Sequence, residues 1–319
     1  MKLIIQIPCL NEAEMIGITL SALPRTVDGF DTVEWLIIDD GSQDNTCEVA
    51  RRHGVDHIVQ HKRHKGLARA FMSGIQECIR LDADVIVNTD ADNQYNAADI
   101  PQLVAPIIAG RADIVIGARP IEEIQHFSRT KKVLQKLGSW MVRQISFTDL
   151  PDTTSGFRAL TRETARRTMV FSDYTYTLET IIQAGHRKLS IESVPVRVND
   201  DQRPSRLLKS IPSYIRQSAI TLIRIYVVYR PFHFFGSIGI AFFVAGCLIG
   251  LRFVYYYFMG NGSGHIQSLI LMSVLLGMGC QTILIAFVAD LFSANRKILE
   301  DIRYRQSGAV RRPDKVNNE

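Results

Sequence analysis

Short apolar segments alternate with amphipathic stretches along the N-terminal part of the chain. The apolar segments are rich in Val, Ile and Leu, are each followed by polar residues, and cover residues 3–7, 34–38, 57–60, 85–87 and 114–116. Apolar residues recur at helical spacing between them, at residues 13–23, 46–53, 66–81 and 100–109. Strands and helices that alternate in this way predict an α/β domain with a mostly parallel sheet.

Two longer apolar stretches follow in the C-terminal third. Residues 232–251 and 266–289 contain no Asp, Glu, Lys or Arg, and each has about the 20 apolar residues needed to cross a bilayer core. A flexible Gly-Asn-Gly-Ser-Gly turn joins them. They predict a transmembrane hairpin over residues 231–292, with spans at 232–257 and 266–291. A buried core helix is the alternative.

Basic residues around these spans predict the orientation of the hairpin. They precede the first span and follow the second, and they are Arg224, Arg230, Arg296, Lys297, Arg303 and Arg305. The connecting turn has neither Lys nor Arg, so the positive-inside rule places both termini on the cytoplasmic side. The N-terminal apolar run is interrupted too soon, at Pro8, for a signal peptide, and we interpret it as the first strand of a cytosolic domain.

The formal net charge of +5 comes mostly from the C-terminal third, since residues 203–230 hold six Lys or Arg and no acidic residue. Such a bias indicates either nucleic acid or a membrane surface as partner, and the neighbouring spans favour a lipid bilayer over nucleic acid. Lys209, Arg216 and Arg224 fall on one helix face, which predicts an interfacial amphipathic helix over 203–230. Ordinary packing beneath the soluble domain explains the same pattern nearly as well. Residues 293–319 are then a cytoplasmic basic tail.

Cysteines and small residues add two structural expectations. The five cysteines show no Cys-x-x-Cys or metal-ligand spacing, so we interpret them as unpaired thiols in a reducing compartment. Gly236, Gly239, Gly246 and Gly250 in the first span permit close helix packing, and with it a homo-oligomer formed through the membrane helices.

Candidate chemistry lies where the predicted strands end. Asp90 and Asp92 follow the fourth strand, and carboxylates one residue apart on an extended chain point to the same side. That arrangement suits a divalent cation bound to a diphosphate, although acids at this position also cap turns and helices. Polar residues end two further strands, namely Asn11 with Glu12 and Asp39 with Asp40. Because parallel sheets bind ligands outside the carboxyl ends of their strands, this convergence favours a site.

Known nucleotide motifs are missing, but a different set is present. No Gly-x-Gly-x-x-Gly follows the first strand and no P-loop occurs. Instead the chain carries Pro-Cys-Leu-Asn-Glu at 8–12, Ile-Asp-Asp-Gly-Ser at 38–42, Asp-Ala-Asp-Asn-Gln-Tyr at 90–95 and Asp-Thr-Thr-Ser-Gly-Phe-Arg at 152–158. In this order they resemble glycosyltransferase family 2, and within it the dolichyl- or polyprenyl-phosphate sugar synthases. The resemblance implies a Rossmann-like GT-A catalytic domain over residues 1–202.

The resemblance also implies roles for single residues. Donor-binding positions are Pro8, Leu10, Glu12, Asp39, Asp40, Gly66, Ala68, Asp90 and Ala91. Asp90, Asp92 and Gln94 would hold Mg²⁺ or Mn²⁺, Arg119 would contact phosphates, and Asp152 would lie near the sugar or acceptor, so that Asp92, Arg119 and Asp152 form the catalytic set. From the residues alone, Glu12 could be a helix-start acid, Asp39 and Asp40 a turn, and Asp152 a cap or an ion-pair partner.

Two segments depart from the related synthases on the acceptor side. Lys131 and Gln135 stand where those enzymes tend to carry Arg and Ser, and Lys keeps the charge but loses the fork geometry. A solvated basic helix face is the alternative. Arg203, Ser205 and Arg206 lie in a loop that usually contains Gly, and they are candidates for binding the acceptor phosphate. Attraction to anionic headgroups is the alternative there.

The implied reaction is metal-dependent, inverting transfer of a hexose from GDP-mannose or UDP-glucose to polyprenyl or dolichyl phosphate at the cytoplasmic membrane face. A membrane polysaccharide synthase is one alternative, but two spans are few for a channel and no Gln-x-x-Arg-Trp motif occurs. A non-catalytic membrane scaffold is another, and the intact acidic pair argues against it. The sugar, the metal and the lipid length are left open.

Overall fold

The computed structural model describes residues 1–120, 150–170, 176–199, 226–260 and 266–309, with single positions between 140 and 143 and between 220 and 224. Contacts divide the chain into two compact units, Met1–Ser218 and Ala219–Glu319. Most of the predicted interfacial helix lies outside the described residues. So do five residues predicted to contact the acceptor, which are Lys131, Gln135, Arg203, Ser205 and Arg206.

The first unit alternates strands and helices as the hydrophobic pattern predicts. In chain order its elements are β1 (Lys2–Cys9), α1 (Ile16–Ala22), β2 (Thr32–Asp39), α2 (Thr46–Arg52), β3 (His57–Gln60), α3 (Leu67–Arg80), β4 (Val85–Asn88), a 3₁₀ turn (Ala97–Asp99), α4 (Ile100–Ile108), β5 (Ile114–Ala118), β6 (Arg158–Thr161), α5 (Arg162–Arg167), α6 (Thr177–His186) and β7 (Ile191–Pro195). All five predicted strands are present. The last two strands were not predicted.

The described strands form one sheet in the order β3-β2-β1-β4-β6-β5-β7. Only β6 runs antiparallel to its neighbours, β4 and β5, while the other described pairs are parallel. Successive residues of β1, such as Leu3, Ile4 and Ile5, are all buried. This is the pattern of a strand covered on both faces, which explains why the central strands are continuous apolar runs rather than alternating ones.

The sheet topology brings the polar strand ends to one edge. Parallel pairing sets Cys9 of β1 beside Asp39 of β2 and Gln6 beside Asn88 of β4, so the loops that follow these strands leave from the same side. Because β6 is antiparallel, its first residue, Arg158, pairs with Asn88 at that same edge. The segment 152–157, which precedes β6, is therefore carried to the edge where the acidic residues lie.

The second unit contains two long apolar helices, α7 (Pro231–Phe258) and α8 (Ile266–Ala309). The segments Pro231–Phe258 and Ile266–Arg296 are long and apolar enough to cross a membrane. At 1.5 Å per residue the first is about 42 Å long. Leu248, Leu251 and Leu291 are 62%, 66% and 66% exposed, which is unfavourable in water and disfavours core helices of a soluble protein. These features indicate a membrane protein. Beyond the span, α8 stays helical through the first part of the predicted tail.

Glycines let α7 and α8 pack closely. A Cβ added at Gly239 would lie 2.7 Å from Ile283 Cγ1 and 3.0 Å from the carbonyl oxygen of Gly279, and one added at Gly250 would lie 2.5 Å from Met272 Sδ. Gly246 faces α8 in the same way. These glycines serve packing inside one hairpin. A homo-oligomer stays a prediction.

Candidate active site

The loops that follow β1 and β2 are joined by hydrogen bonds. The backbone N–H of Asn11 donates to Ser42 Oγ at 2.9 Å, and Asn11 Oδ1 accepts from the N–H of Gln43 at 2.8 Å. Asn11 has a φ of 55°, in the left-handed region that asparagine tolerates. The N–H of Glu12 donates to Thr46 Oγ1 at 2.9 Å. These bonds hold the residues after β1 beside the end of β2.

The carboxylates of Asp39 and Asp40 are buried and are bonded to protein groups. Asp39 accepts hydrogen bonds from the N–H of Ser42 at 2.9 Å and from Cys47 Sγ at 3.3 Å. Asp40 accepts from the backbone N–H groups of Lys65 and Gly66, at 2.9 and 2.8 Å. Hydrogen bonds thus tie four predicted donor residues, Glu12, Asp39, Asp40 and Gly66, into these loops. Pro8 lies in β1 beside Ile38, Leu10 directly follows β1, and Ala68 lies in the first turn of α3. Both aspartates brace loops, which matches the turn alternative.

His61 is a residue of this region that sequence reasoning missed. Its Nδ1 lies 2.7 Å from Asp40 Oδ1 and its Nε2 lies 2.9 Å from Ser73 Oγ on α3, and the ring is buried. A second imidazole, that of His64, lies 2.8 Å from the other oxygen of Asp40. The loop entering α3 is therefore anchored on Asp40. A His in a run of basic residues gave no signal for this role.

Asp90 and Asp92 flank a tight turn directly after β4. The N–H of Gln94 donates to Asp92 Oδ1 at 3.2 Å, and Asn93 between them has a φ of 56°. Thr19 Oγ1 on α1 donates to the carbonyl oxygen of Ala91 at 2.8 Å, which ties the turn to the core. Both aspartates and Gln94 are thus held in one turn, residues 90–95, which we call the acidic turn. Because Asp92 accepts a backbone hydrogen bond within it, Asp92 also caps the turn, as the alternative interpretation had it.

The donor set fits a divalent cation that is shared with a phosphate ligand. Two carboxylates and an amide oxygen are hard ligands of the kind Mg²⁺ and Mn²⁺ prefer. Within the described residues no cluster of three or more His, Cys, Asp or Glu could hold a metal alone. Burial and the charge of Asp92 raise the pKa of Asp90 well above the ordinary aspartate range. A bound cation would offset the repulsion between the two carboxylates and the unfavourable burial of their charge.

Arg119 and Asp152 form a bidentate ion pair beside the acidic turn. Arg119 Nε lies 2.7 Å from Asp152 Oδ2 and Nη2 lies 3.1 Å from Oδ1, while Nη2 also donates to Thr154 Oγ1 at 2.9 Å. Burial acts to raise the pKa of Asp152, but the charge of Arg119 and these hydrogen bonds lower it below its ordinary value. The structure brings the two predicted residues together, and it makes Asp152 an ion-pair partner of Arg119.

A buried polar layer supports the acidic turn from below. Asn88 Nδ2 donates to the carbonyl oxygen of Gly156 and to the hydroxyl of Tyr176, each at 2.9 Å, and Asn88 Oδ1 accepts from Gln6 Nε2 at 2.9 Å. The hydroxyl of Tyr95 accepts from the N–H of Gly156 at 3.0 Å. Sequence reasoning did not assign these residues, although a polar Asn88 ending an apolar strand was a usable signal.

Two further features complete the geometry. Arg158 is wholly buried and donates to the carbonyl oxygen of Thr177 at 3.1 Å, and it lies near enough to Asp90 for its positive charge to act on that carboxylate. A cavity of about 520 Å³ opens next to Arg119, and its lining is Asp99, Gln102, Ala118, Arg119, Pro120, Pro195, Val196 and Arg197. Its volume is in the range of small-ligand pockets.

The sequence model of the family described as "Glycosyl transferase family 2" matches residues 4–168 of this chain, which is half of its length. The chain belongs to glycosyltransferase family 2. The match covers β1 through α5 and includes the acidic turn, Arg119 and Asp152. Family membership confirms the prediction of a glycosyltransferase and disfavours the alternative of a non-catalytic scaffold.

Two relatives of this glycosyltransferase have names that specify a lipid phosphate. It is 27% identical over 215 residues to the UDP-N-acetylglucosamine–dolichyl-phosphate N-acetylglucosaminyltransferase of Methanococcus voltae, with 60% of this chain and 83% of that protein covered. It is 29% identical over 172 residues to the undecaprenyl-phosphate mannosyltransferase of Micrococcus luteus, with 52% and 69% covered. The predicted similarity to polyprenyl-phosphate sugar transferases is confirmed.

A solved structure shows the same fold. Glucosyl-3-phosphoglycerate synthase from Mycobacterium tuberculosis, crystallised with Mn²⁺ and UDP, superposes with a TM-score of 0.53 at 18% identity. The superposition covers 69% of this chain and 79% of that one. The GT-A fold predicted for this family 2 glycosyltransferase is therefore confirmed.

Proposed function

We propose that this family 2 glycosyltransferase transfers a hexose from a nucleotide sugar to polyprenyl or dolichyl phosphate, with inversion and with Mg²⁺ or Mn²⁺, at the cytoplasmic membrane face. The observation that carries the proposal is the acidic turn of Asp90 and Asp92 near the ion pair of Arg119 with Asp152. Both lie at the carboxyl edge of the sheet, in a chain that continues into two apolar helices.

On the donor side, Asp90, Asp92 and the Gln94 amide would hold the cation. When bound, the cation offsets negative charge on the nucleoside diphosphate as it leaves. Asp152 and Thr154 engage Nε and Nη2 of Arg119, so we assign Nη1 to a phosphate oxygen. A guanidinium held in one orientation donates to a developing anion with little reorganisation.

The chemistry needs no strong base. A phosphate monoester has a second pKa near 6, so the acceptor oxygen is largely anionic at neutral pH. This oxygen forms a bond to the anomeric carbon while the bond from that carbon to the diphosphate oxygen breaks, and the electron pair leaves with the nucleoside diphosphate. Direct displacement inverts the anomeric configuration. The residues at the carboxyl edge mainly position the two substrates.

The lipid acceptor is supported by the names of the two relatives and by the apolar hairpin. Lys131, Gln135, Arg203, Ser205 and Arg206 are kept as proposed acceptor contacts, and the basic flanks of the spans support cytoplasmic termini. One relative is named for N-acetylglucosamine and the other for mannose. GDP-mannose and UDP-glucose are therefore tested first, as the predicted donors, and UDP-N-acetylglucosamine is added as the third.

The test uses membranes that contain the full-length chain. They are incubated with each labelled donor and a short polyprenyl phosphate, with and without EDTA, and then extracted with organic solvent. Cation-dependent, extractable label supports the proposal. Insoluble polymer would instead indicate a polysaccharide synthase, and no transfer from any donor would favour a scaffold.

A matched pair of variants tests the cation site in the same assay. Asp92→Asn should abolish transfer while membrane insertion stays intact, because an amide removes a charged ligand. Asp28→Asn, at an exposed position, should transfer at the wild-type rate. Normal turnover by Asp92→Asn would refute the role of this carboxylate.

A further inference from the structure

A single residue far along the chain holds the backbone of the acidic turn. The side-chain amide of Asn199 donates to the carbonyl oxygen of Asn93 at 2.8 Å and to that of Tyr95 at 3.3 Å. The backbone N–H of Asn199 donates to the carbonyl oxygen between them, that of Gln94, at 2.8 Å. Three consecutive carbonyl groups of the turn are thus bonded to one asparagine.

The segment around Asn199 is itself fixed. The N–H of Asn96 donates to the carbonyl oxygen of Arg197 at 3.2 Å, and Tyr95 forms an isolated antiparallel bridge with Val198. The N–H of Arg197 donates to Asp99 Oδ2 at 2.7 Å and its Nε lies 3.0 Å from Oδ1. The extension of β7 therefore runs as a short antiparallel partner along the residues that follow the acidic pair.

The turn needs such support. Asn93 is in the left-handed conformation, which asparagine tolerates better than most residues but which is still less favourable for it than the right-handed one. The peptide groups on both sides of Asn93 set the direction of the Asp92 and Gln94 side chains. Asparagine is the side chain whose amide supplies two donors at short reach, so Asn199 can bond two carbonyl oxygens at once.

We infer that Asn199 is a positioning residue for the cation site: it orients the turn that carries Asp92 and Gln94 through the carbonyl groups of Asn93, Gln94 and Tyr95, and thereby sets the affinity for the divalent cation. The inference rests on the proposed function, since it concerns the same site. Removing a group that holds a metal ligand in place typically weakens metal binding 10- to 100-fold. We expect Asn199→Ala to fall in this range, at about 10-fold or more.

The experiment measures binding of Mn²⁺ alone to the full-length, detergent-solubilised protein, from the loss of the free-ion EPR signal. Asn199→Ala is compared with the wild type and with Asn45→Ala, which removes the side chain of an exposed asparagine at the start of α2. We expect weaker binding only in Asn199→Ala. In the transfer assay, saturating Mn²⁺ should restore most of the turnover, which loss of fold would not allow.

Asn199→Ser keeps one short donor and should bind Mn²⁺ with intermediate affinity; if circular dichroism shows that Asn199→Ala is unfolded, this variant decides the question. Wild-type affinity in whichever of the two variants folds overturns the inference. So does equal weakening in Asn45→Ala. If the wild type itself does not bind Mn²⁺, the cation role in the proposed function fails instead, which distinguishes the two.

Discussion

A methyl group added at Gly156 is expected to disturb the acidic turn directly. The Cβ of an alanine there would lie 3.0 Å from Asp90 Oδ1, 3.2 Å from Oδ2 and 3.0 Å from the hydroxyl of Tyr176, where ordinary contact begins at 3.4 Å. Tyr176 resists displacement, because it bonds to Asn88 at 2.9 Å and its ring stacks on Phe71 with centroids 3.9 Å apart. The backbone of Gly156 is bonded on both sides. The Asp90 carboxylate must therefore move by a few tenths of an ångström.

The magnitude follows from the size of this overlap. Overpacking by a methyl group costs about 1–3 kcal/mol, and an overlap of 0.2–0.4 Å against a carboxylate places Gly156→Ala near the lower end, at about 1 kcal/mol of unfolding free energy. The consequence for the cation should be larger, because a displaced ligand weakens metal binding roughly 10- to 100-fold. The variant should thus fold and bind Mn²⁺ poorly.

Two measurements check this prediction on the full-length protein. Thermal unfolding reports the stability change, and a Mn²⁺ titration of sugar transfer reports the cation affinity. Gly277→Ala is the matched control, because a Cβ there meets no described atom within 4 Å. Wild-type cation affinity in Gly156→Ala would refute the reasoning that Asp90 is a cation ligand held against Gly156.

Three further outcomes are expected. Arg119→Lys loses the bidentate geometry and should lower kcat/KM for the donor roughly 100-fold with Mn²⁺ binding unchanged, while Arg25→Lys on the exposed surface should not; equal activity of the two would contradict the phosphate role. The folded protein lowers the pKa of Asp152 below the ordinary aspartate pKa of about 4. The ionised carboxylate therefore adds stability above about pH 4, and this stability is lost as the pH falls from there through the lowered pKa. The stability difference between wild type and Asp152→Asn, from denaturant unfolding, should therefore shrink from pH 7 to pH 3.5, and a constant difference would contradict the ion pair. Gly279→Ala would place a Cβ 2.8 Å from a backbone nitrogen of α7 and should lower thermal stability in detergent, whereas Gly277→Ala should leave it unchanged.

Local pattern in the sequence determined the parts of the protein that depend on neighbouring residues. Burial on both faces leaves continuous apolar runs, so the five strands of the pattern were predictable, and a bilayer requires long uncharged helices, so the two spans were predictable as well. The acidic pair was visible because two aspartates one residue apart follow an apolar strand, although the structure holds Asp90 and Asp92 in a turn and not on the extended chain that the prediction assumed. The family followed from four short motifs in fixed order.

Only the tertiary structure decided which distant groups meet. Antiparallel insertion of β6 carries Asp152 to Arg119, 33 positions earlier in the chain, and the extension of β7 carries Asn199 to the turn at Asn93, 106 positions earlier. Asp40 was predicted to lie near the donor nucleotide. In the folded chain its carboxylate oxygens accept hydrogen bonds from backbone N–H groups and lie beside His61 and His64. The physical reason is that burial periodicity and turn preferences act over a few residues, whereas strand register and hydrogen-bond partners are selected among all segments that reach the same edge of the sheet.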